Sequence, residues 1–387
     1  MFVLCVSGAF AQAQTFTVLH SFTDEVGGVF PYSGVTLIGG NLYGTTTAGG
    51  LYREGTVFEL IHRGSGWVLS VLYSFAGGQD GAMPYSGVVV GPDGFLYGAT
   101  YDGGNGFGAV YSLRPQPTFC QNTSCPWVET VLYRFRGGSD GAHPGNADAL
   151  VFDHAGNLYG TTGGDSNADG NDGTVFELSP SNGGWTETVL YRFTKSEIPM
   201  AGVTFDTAGN LYGTTKSGGV GYGSVYELTP SGSGWIYQTL YEFQNTRDGA
   251  YPYGGVVFDG SGNLYGTTEN DGGTVFEMQP SNGGWSFATI YNGFPSTLGP
   301  VDTPTLDSAG NVYGTVLNDH GTNEGLVFKL TFSGGSWTET NLALFGVGGN
   351  LAAFPYGSVV LDADGNIFGT TLEGGNQGSG TVWEITP

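Results

Sequence analysis

The sequence predicts an all-β chain closed into a seven-bladed β-propeller of four-stranded blades. Three observations predict it. A phrase of the type Leu-Tyr-Gly-Thr-Thr recurs seven times, a proline precedes the first strand of every unit, and the two chain ends supply the missing strands of one unit. The copies begin at Leu42, Leu96, Leu158, Leu211, Leu264, Val312 and Ile367, 48 to 62 residues apart. That period suits a four-stranded unit, which cannot bury its apolar faces alone and must stack on neighbours. An open solenoid is the alternative for the same repeat.

Each element follows from local chemistry. Pro31, Pro84, Pro144, Pro199, Pro252, Pro300 and Pro355 introduce the first strands, where a residue lacking an N–H need not cost a ladder bond. A turn such as Asp206-Thr207-Ala208-Gly209-Asn210 follows; its glycine takes positive φ and its Asp bonds the backbone, as a bulged hairpin needs. Asp362-Ala363-Asp364-Gly365 resembles a fragment of a calcium loop, but the turn recurs without its second Asp, which favours the hairpin. Leu-Tyr-Gly-Thr-Thr is the second strand; its glycine would weaken it unless backbone approaches closely near a crowded centre. Gly273 to Met278 exemplifies the third strand and Trp185 to Phe193 the fourth, both rich in β-branched and aromatic residues and bounded by turn formers. Thr15 to Phe22 matches a fourth strand and Gly380 to Ile385 a third. The N-terminal strand is therefore expected to complete the last blade and remove the free edges of an open array.

Composition agrees: 72 Gly, 25 Phe, 22 Tyr and 11% charged residues suit short strands and tight turns, and no helix is predicted. Thirty-four acidic against ten basic side chains give a formal charge of −24, with the basic residues dispersed. Nucleic acid and anionic membrane are poor partners for such a surface. Neutral glycans, cations and basic proteins remain permitted, and a monomer is expected. Residues 1–13 read as a signal-peptide-like segment, with apolar Phe2 to Val6 ahead of Ala9-Phe10-Ala11 or Ala11-Gln12-Ala13. A single propeller domain over 14–387 follows, secreted or at the cell surface. No other stretch is apolar enough, for long enough, to span a bilayer. Cys120 and Cys125 bracket a long connection. In an exported protein they are expected to form a disulfide, a metal site lacking a second ligand pair.

Gly-Asn-Leu-Tyr-Gly-Thr-Thr, Gly-Thr-Val-Phe-Glu-Leu, Gly-Gly-Trp, Val-Leu-Tyr-Arg-Phe and Asp-Gly-Ala-x-Pro recur in fixed order over residues 15 to 387. This set resembles the GloVer tandem repeat of "choice-of-anchor" bacterial exported proteins, and is more distantly similar to NHL-type propellers. The resemblance implies an exported protein, often fixed to the envelope by a C-terminal device, and implies no reaction. Thr386-Pro387 follows directly on the last strand, so free secretion, a holding partner or truncation is expected here.

In a propeller the fourth-to-first and second-to-third loops gather on one face beside the channel, the default binding site. The candidates there are Asp80, Tyr85, Asp140, His143, Asp248, Tyr251 and Tyr253 from the Asp-Gly-Ala-x-Pro loops, with Tyr101 and Asp102 from a second-to-third loop. Aromatic faces beside carboxylates suit sugars, whose CH faces stack and whose hydroxyls need acceptors; the same Asp-Gly pairs equally suit plain turns. Trp67, Trp127, Trp185, Trp235, Trp285 and Trp337 each open a fourth strand, which repeat packing explains. The five histidines occupy different repeat positions, and no nucleophile elbow, His-Glu-x-x-His helix or phosphate loop occurs. No catalytic residue, cofactor or metal ligand set is assigned, and calcium is not indicated. A non-catalytic binding propeller for a glycan or surface protein is the leading reading. A structural envelope module is the next, and a polysaccharide- or lactone-active enzyme the last.

Overall fold

Seven four-stranded antiparallel sheets follow one another around a ring. The computed structural model describes residues 14–387 apart from 24–25, 65, 117–126, 146–149, 165–172, 195, 233, 271, 295–297, 318–323 and 348–351. The signal-like segment and the Cys120–Cys125 pairing fall outside the described residues. Blade 1 comprises Thr36–Ile38, Asn41–Thr46, Thr56–Arg63 and Gly66–Ser74. Blades 2 to 6 repeat that order, and a 3₁₀ turn at Gly138–Asp140 is the sole helical element among the described residues.

Blade 7 takes Val360–Leu361, Ile367–Thr371 and Thr381–Thr386 from the C-terminus and Thr15–Ser21 from the N-terminus. The ladder runs from Thr15 opposite Thr386 to Ser21 opposite Thr381, with a bulge between Val18 and His20. The same bulge marks the fourth strand of all six other blades, where Leu72, Leu132, Leu190, Leu240, Ile290 and Leu342 are the extra residues. Leu19 holds that position in the N-terminal strand, so this strand reproduces the kink as well as the composition of its counterparts. A bulge bends its strand and raises its twist. The Leu so displaced packs inward, as fully buried Leu72 does.

The second-strand glycines make room for a ring. Gly44 lies opposite Phe58, Gly160 opposite Phe176 and Gly369 opposite Trp383; a Cβ on Gly44 would stand 2.6 Å from the Phe58 ring and one on Gly369 2.3 Å from Trp383. The expected backbone crowding is found elsewhere, just ahead of the first strands. A Cβ on Gly34 would stand 2.1 Å from the Ser358 carbonyl, and one on Gly254 2.2 Å from that of Asp302.

Side chains stitch the blades together. The first Thr of the repeated phrase donates to a carbonyl just ahead of the first strand of the following blade: Thr45 to Ser86 at 2.9 Å, Thr161 to Ala201 at 2.7 Å, and Thr370 to Ser33 at 2.7 Å across the closure. Blade 2 has Ala99 at this position. Tryptophans pack between blades as repeat packing requires: Trp185 against Tyr97, Trp285 against Tyr212, Trp67 against Phe368.

Candidate functional site

The fourth-to-first and second-to-third loops share one face. Ala82 bridges Asp102, Val29 bridges Ala48, and Ala352–Ala353 pairs with Glu373–Gly374. The residue before the loop proline is left-handed in five blades: Phe30, Met83, His143, Tyr251 and Phe354 have φ between 53° and 61°. Such a conformation is costly for a bulky residue and persists when its surroundings hold it. Here two bonds do so. The Met83 N–H donates to the Glu54 carbonyl of blade 1 and its carbonyl accepts from Tyr101; His143 does the same with Phe107 and Gly163, and Tyr251 with Tyr222 and Glu269. Each left-handed residue thus ties two blades, and the residue after the proline enters the channel mouth in a fixed direction.

At four blades that residue is tyrosine. Tyr32 stacks on Tyr356 at 4.6 Å and meets Tyr85 edge-on at 5.0 Å; Tyr85 meets Tyr101 at 5.3 Å, and Tyr101 stacks on the His143 ring at 4.3 Å. Tyr32 of blade 1 also hydrogen-bonds Tyr253 of blade 5, so the cluster reaches across the axis. Burial raises the phenols of Tyr32, Tyr253, Tyr356 and Tyr101, and neighbouring phenols or carboxylates add to it. All four stay protonated at neutral pH and serve as neutral donors and acceptors. Aromatic pairs of this kind contribute about 0.5–1.5 kcal/mol each beyond burial.

A charged edge adjoins the rings. Lys216 Nζ lies 4.2 Å from the Tyr253 ring centroid and 3.8 Å from Glu269 Oε2. His143 Nδ1 is 2.8 Å from the Tyr101 carbonyl, which fixes the imidazole over the tyrosine. Met200 and Val301 replace tyrosine after the proline in blades 4 and 6. On that side the innermost strands leave a cavity of about 240 Å³ lined by Val203, Thr204, Gly255, Val257 and Thr303.

The sequence candidates divide into two groups. Tyr85, Tyr101, His143 and Tyr253 come together in the aromatic platform. Asp80, Asp140 and Asp248 instead bind their own loops: each accepts a tyrosine hydroxyl from the preceding fourth strand, Tyr73, Tyr133 and Tyr241 respectively, and a backbone N–H four residues upstream. Asp248 also accepts from the N–H and hydroxyl of Thr246. Burial pushes its carboxyl up, but these bonds outweigh burial and hold it below the ordinary range. Asp102 accepts from the Gly103 N–H, and Tyr251 packs against Tyr222. Sequence reasoning omitted Tyr32, Tyr356, Lys216 and Glu269. The signal was present: Tyr32 and Tyr356 follow the prolines as Tyr85 and Tyr253 do, and Lys216, Glu269 and Tyr101 each follow the repeated second-strand phrase.

Comparison with known proteins supports this architecture. The model of the Gloeobacter/Verrucomicrobia repeat matches residues 8–167 and 66–272. No curated protein matches the sequence. Among solved structures, the chain is similar to the extracellular domain of a candidate hybrid two-component system from B. thetaiotaomicron, with TM-score 0.56 and 14% identity. That match covers 96% of this chain and 41% of that one, so the chain spans about two fifths of that protein. A candidate 6-phosphogluconolactonase from Bacteroides uniformis gives TM-score 0.54 and 14% identity, over 85% of this chain and 88% of that one. One from Bacteroides fragilis gives 0.53 and 14%, over 87% of each. At such identity the likeness is one of fold.

Proposed function

The chain belongs to the Gloeobacter/Verrucomicrobia repeat family, and from that premise we propose that it is an exported, non-catalytic propeller that binds a neutral glycan on its tyrosine platform. The observation that carries this reading is the tyrosine cluster of Tyr32, Tyr85, Tyr101, Tyr253 and Tyr356 at the channel mouth. Ring faces accept the CH faces of a pyranose, and neutral phenols, Lys216 and Glu269 answer its hydroxyls. A hydrolytic site would require a facing pair of carboxylates tuned apart. The carboxylates pushed up to about 7 are Glu129 and Glu187, and these belong to fourth strands at the blade junctions. Export accords with the likeness to the extracellular domain of a candidate hybrid two-component system. No helix among the described residues is long and apolar enough to cross a membrane.

The test is retention on a panel of soluble neutral polysaccharides, with polymer length read after incubation. Retention with unchanged length is expected, and Tyr253→Ala or Tyr101→Ala should weaken it at least tenfold while Asp140→Asn leaves it intact. Shortened polymer would make the protein an enzyme, and absence of retention across the panel would favour a structural module.

A further inference from the structure

At two blade junctions the tyrosine after the fourth-strand bulge is covered by a ring from the next blade. Tyr191 stacks on Tyr237 at 4.3 Å and Tyr241 on Phe287 at 3.8 Å. Between blades 1 and 2 the residue at the register of Tyr237 and Phe287 is Glu129. Tyr73 there meets Phe75 edge-on and has no stacked ring among the described residues. A groove of about 490 Å³ opens along it, lined by Leu51, Tyr52, Val71 and Leu72 together with Asp80. Leu51 is 71% and Tyr52 58% exposed, although both are large and apolar in body. Adjoining apolar side chains left this open commonly mark a binding surface.

Asp80 is the carboxylate of the groove lining, and Glu129 stands beside the groove, opposite Leu113 on the neighbouring blade. Asp80 Oδ2 accepts from Tyr73 and from the Ala76 N–H. Glu129 acts electrostatically on Tyr73, and Asp80 in turn on Glu129. The Oε1 of Glu129 is buried without a hydrogen-bond partner among the described residues, as are those of Glu187 and Glu339 at the same register, an unusual state for a carboxylate oxygen. Arg134 lies near enough to act on Glu129, but its Nε donates to the Gln79 carbonyl at 2.7 Å. At the next junction Glu187 occupies the same register and Arg192 likewise turns its Nε to a carbonyl, that of Ser139 at 2.8 Å; the differences are that Arg136 also acts on Glu187 and that the Phe107 ring lies against Gly137.

We propose that the groove between Leu51, Tyr52, Tyr73 and Asp80 is a second binding site, separate from the tyrosine platform, for a small organic cation: an ammonium group on an apolar or aromatic body. The body lies against Leu51, Tyr52 and Tyr73, and the ammonium meets the carboxylates of Asp80 and Glu129. Ring faces and carboxylates both attract such a cation, and an alkyl or aryl body covers the exposed apolar wall.

Titration calorimetry at pH 8 with phenethylamine, and with neutral 2-phenylethanol as the matched control, tests this. Saturable binding of the amine is expected, at least tenfold tighter than that of the alcohol. Glu129→Gln should weaken the amine at least fivefold and leave the alcohol unchanged, while Leu51→Ser and Tyr52→Ser should weaken both. These positions are used because Asp80 also holds its loop, so its replacement risks the fold. Absence of saturable binding, equal affinity for the alcohol, or parent-like binding by all three variants would overturn the proposal. So would loss of amine binding in Tyr253→Ala, which would put the cation on the platform instead.

Discussion

Single carboxylates in this molecule do one of two jobs, and partners rather than residue type tell them apart. Asp248 is buried and accepts four hydrogen bonds, from Tyr241, Gln244 and twice from Thr246. Removing it leaves those donors unmet, at roughly 2–4 kcal/mol when charged-group bonds are lost. Asp248→Ala should therefore lower the melting temperature by several degrees and leave polysaccharide retention unaltered. Tyr253→Ala should do the reverse, losing retention with less effect on melting. The pH dependence has a definite sign. A carboxyl held below 3.8 in the folded state stabilises above that pH and loses this as pH falls through its folded value, so the Asp248→Ala penalty should shrink below about pH 4. An unchanged penalty at pH 3, followed by circular dichroism, would show that the loop does not depend on the ionised form.

At the scale of the strand and blade, junction chemistry varies where the repeat itself does not. Glu129 and Glu187 are pushed up to about 7, first by burial and then by Asp80 and Asp140, with Arg134 opposing at one and Arg192 and Arg136 at the other. A carboxyl raised above its unfolded value of 4.5 favours folding below that pH, and the contribution fades as pH rises through about 7. The parent's melting temperature should decline from pH 5 to pH 8 more than that of a Glu129→Gln, Glu187→Gln double variant. Calorimetric scans across the interval decide it, and parallel curves would mean that these two groups do not titrate there. The elements themselves were legible because seven aligned copies fix strand order and register. Variation inside the repeat was legible only in part. Tyr85 and Tyr253 are marked in the sequence by the Asp-Gly-Ala loops beside them, whereas Tyr32 and Tyr356 sit on loops of other composition that carry no such mark. Asp80, Asp140 and Asp248 fitted turn and site equally well from sequence, because their tyrosine partners seven residues upstream become neighbours only once the fourth strand ends and the loop folds back.

For the molecule as a whole, the closure concentrates stability in one short strand. Phe22 is 1% exposed and meets Phe58 of blade 1 at 5.3 Å, while Phe16 meets Phe345 of blade 6 and Trp383 of blade 7 at 5.6 and 6.0 Å. The N-terminal strand with the adjoining Phe22 therefore joins three blades. Removing residues 14–22 would uncover Trp383, now fully buried, and leave the third strand of blade 7 as a free edge. The truncated chain should lose its cooperative melt and show red-shifted tryptophan fluorescence. A synthetic peptide of residues 14–22, added in excess, should restore both, since binding the folded ring alone shifts the equilibrium by mass action. Leu19 gives the stricter test. It is the extra residue of the bulge, and a one-residue change of register in a strand exchanges its two faces. A peptide lacking Leu19 cannot seat Phe16 and Phe22 on their cores together, and should fail to rescue at concentrations where the parent peptide succeeds. Equal rescue by both peptides would mean that the seam needs a strand but not this one, and that the repeated bulge plays no part in closing the ring.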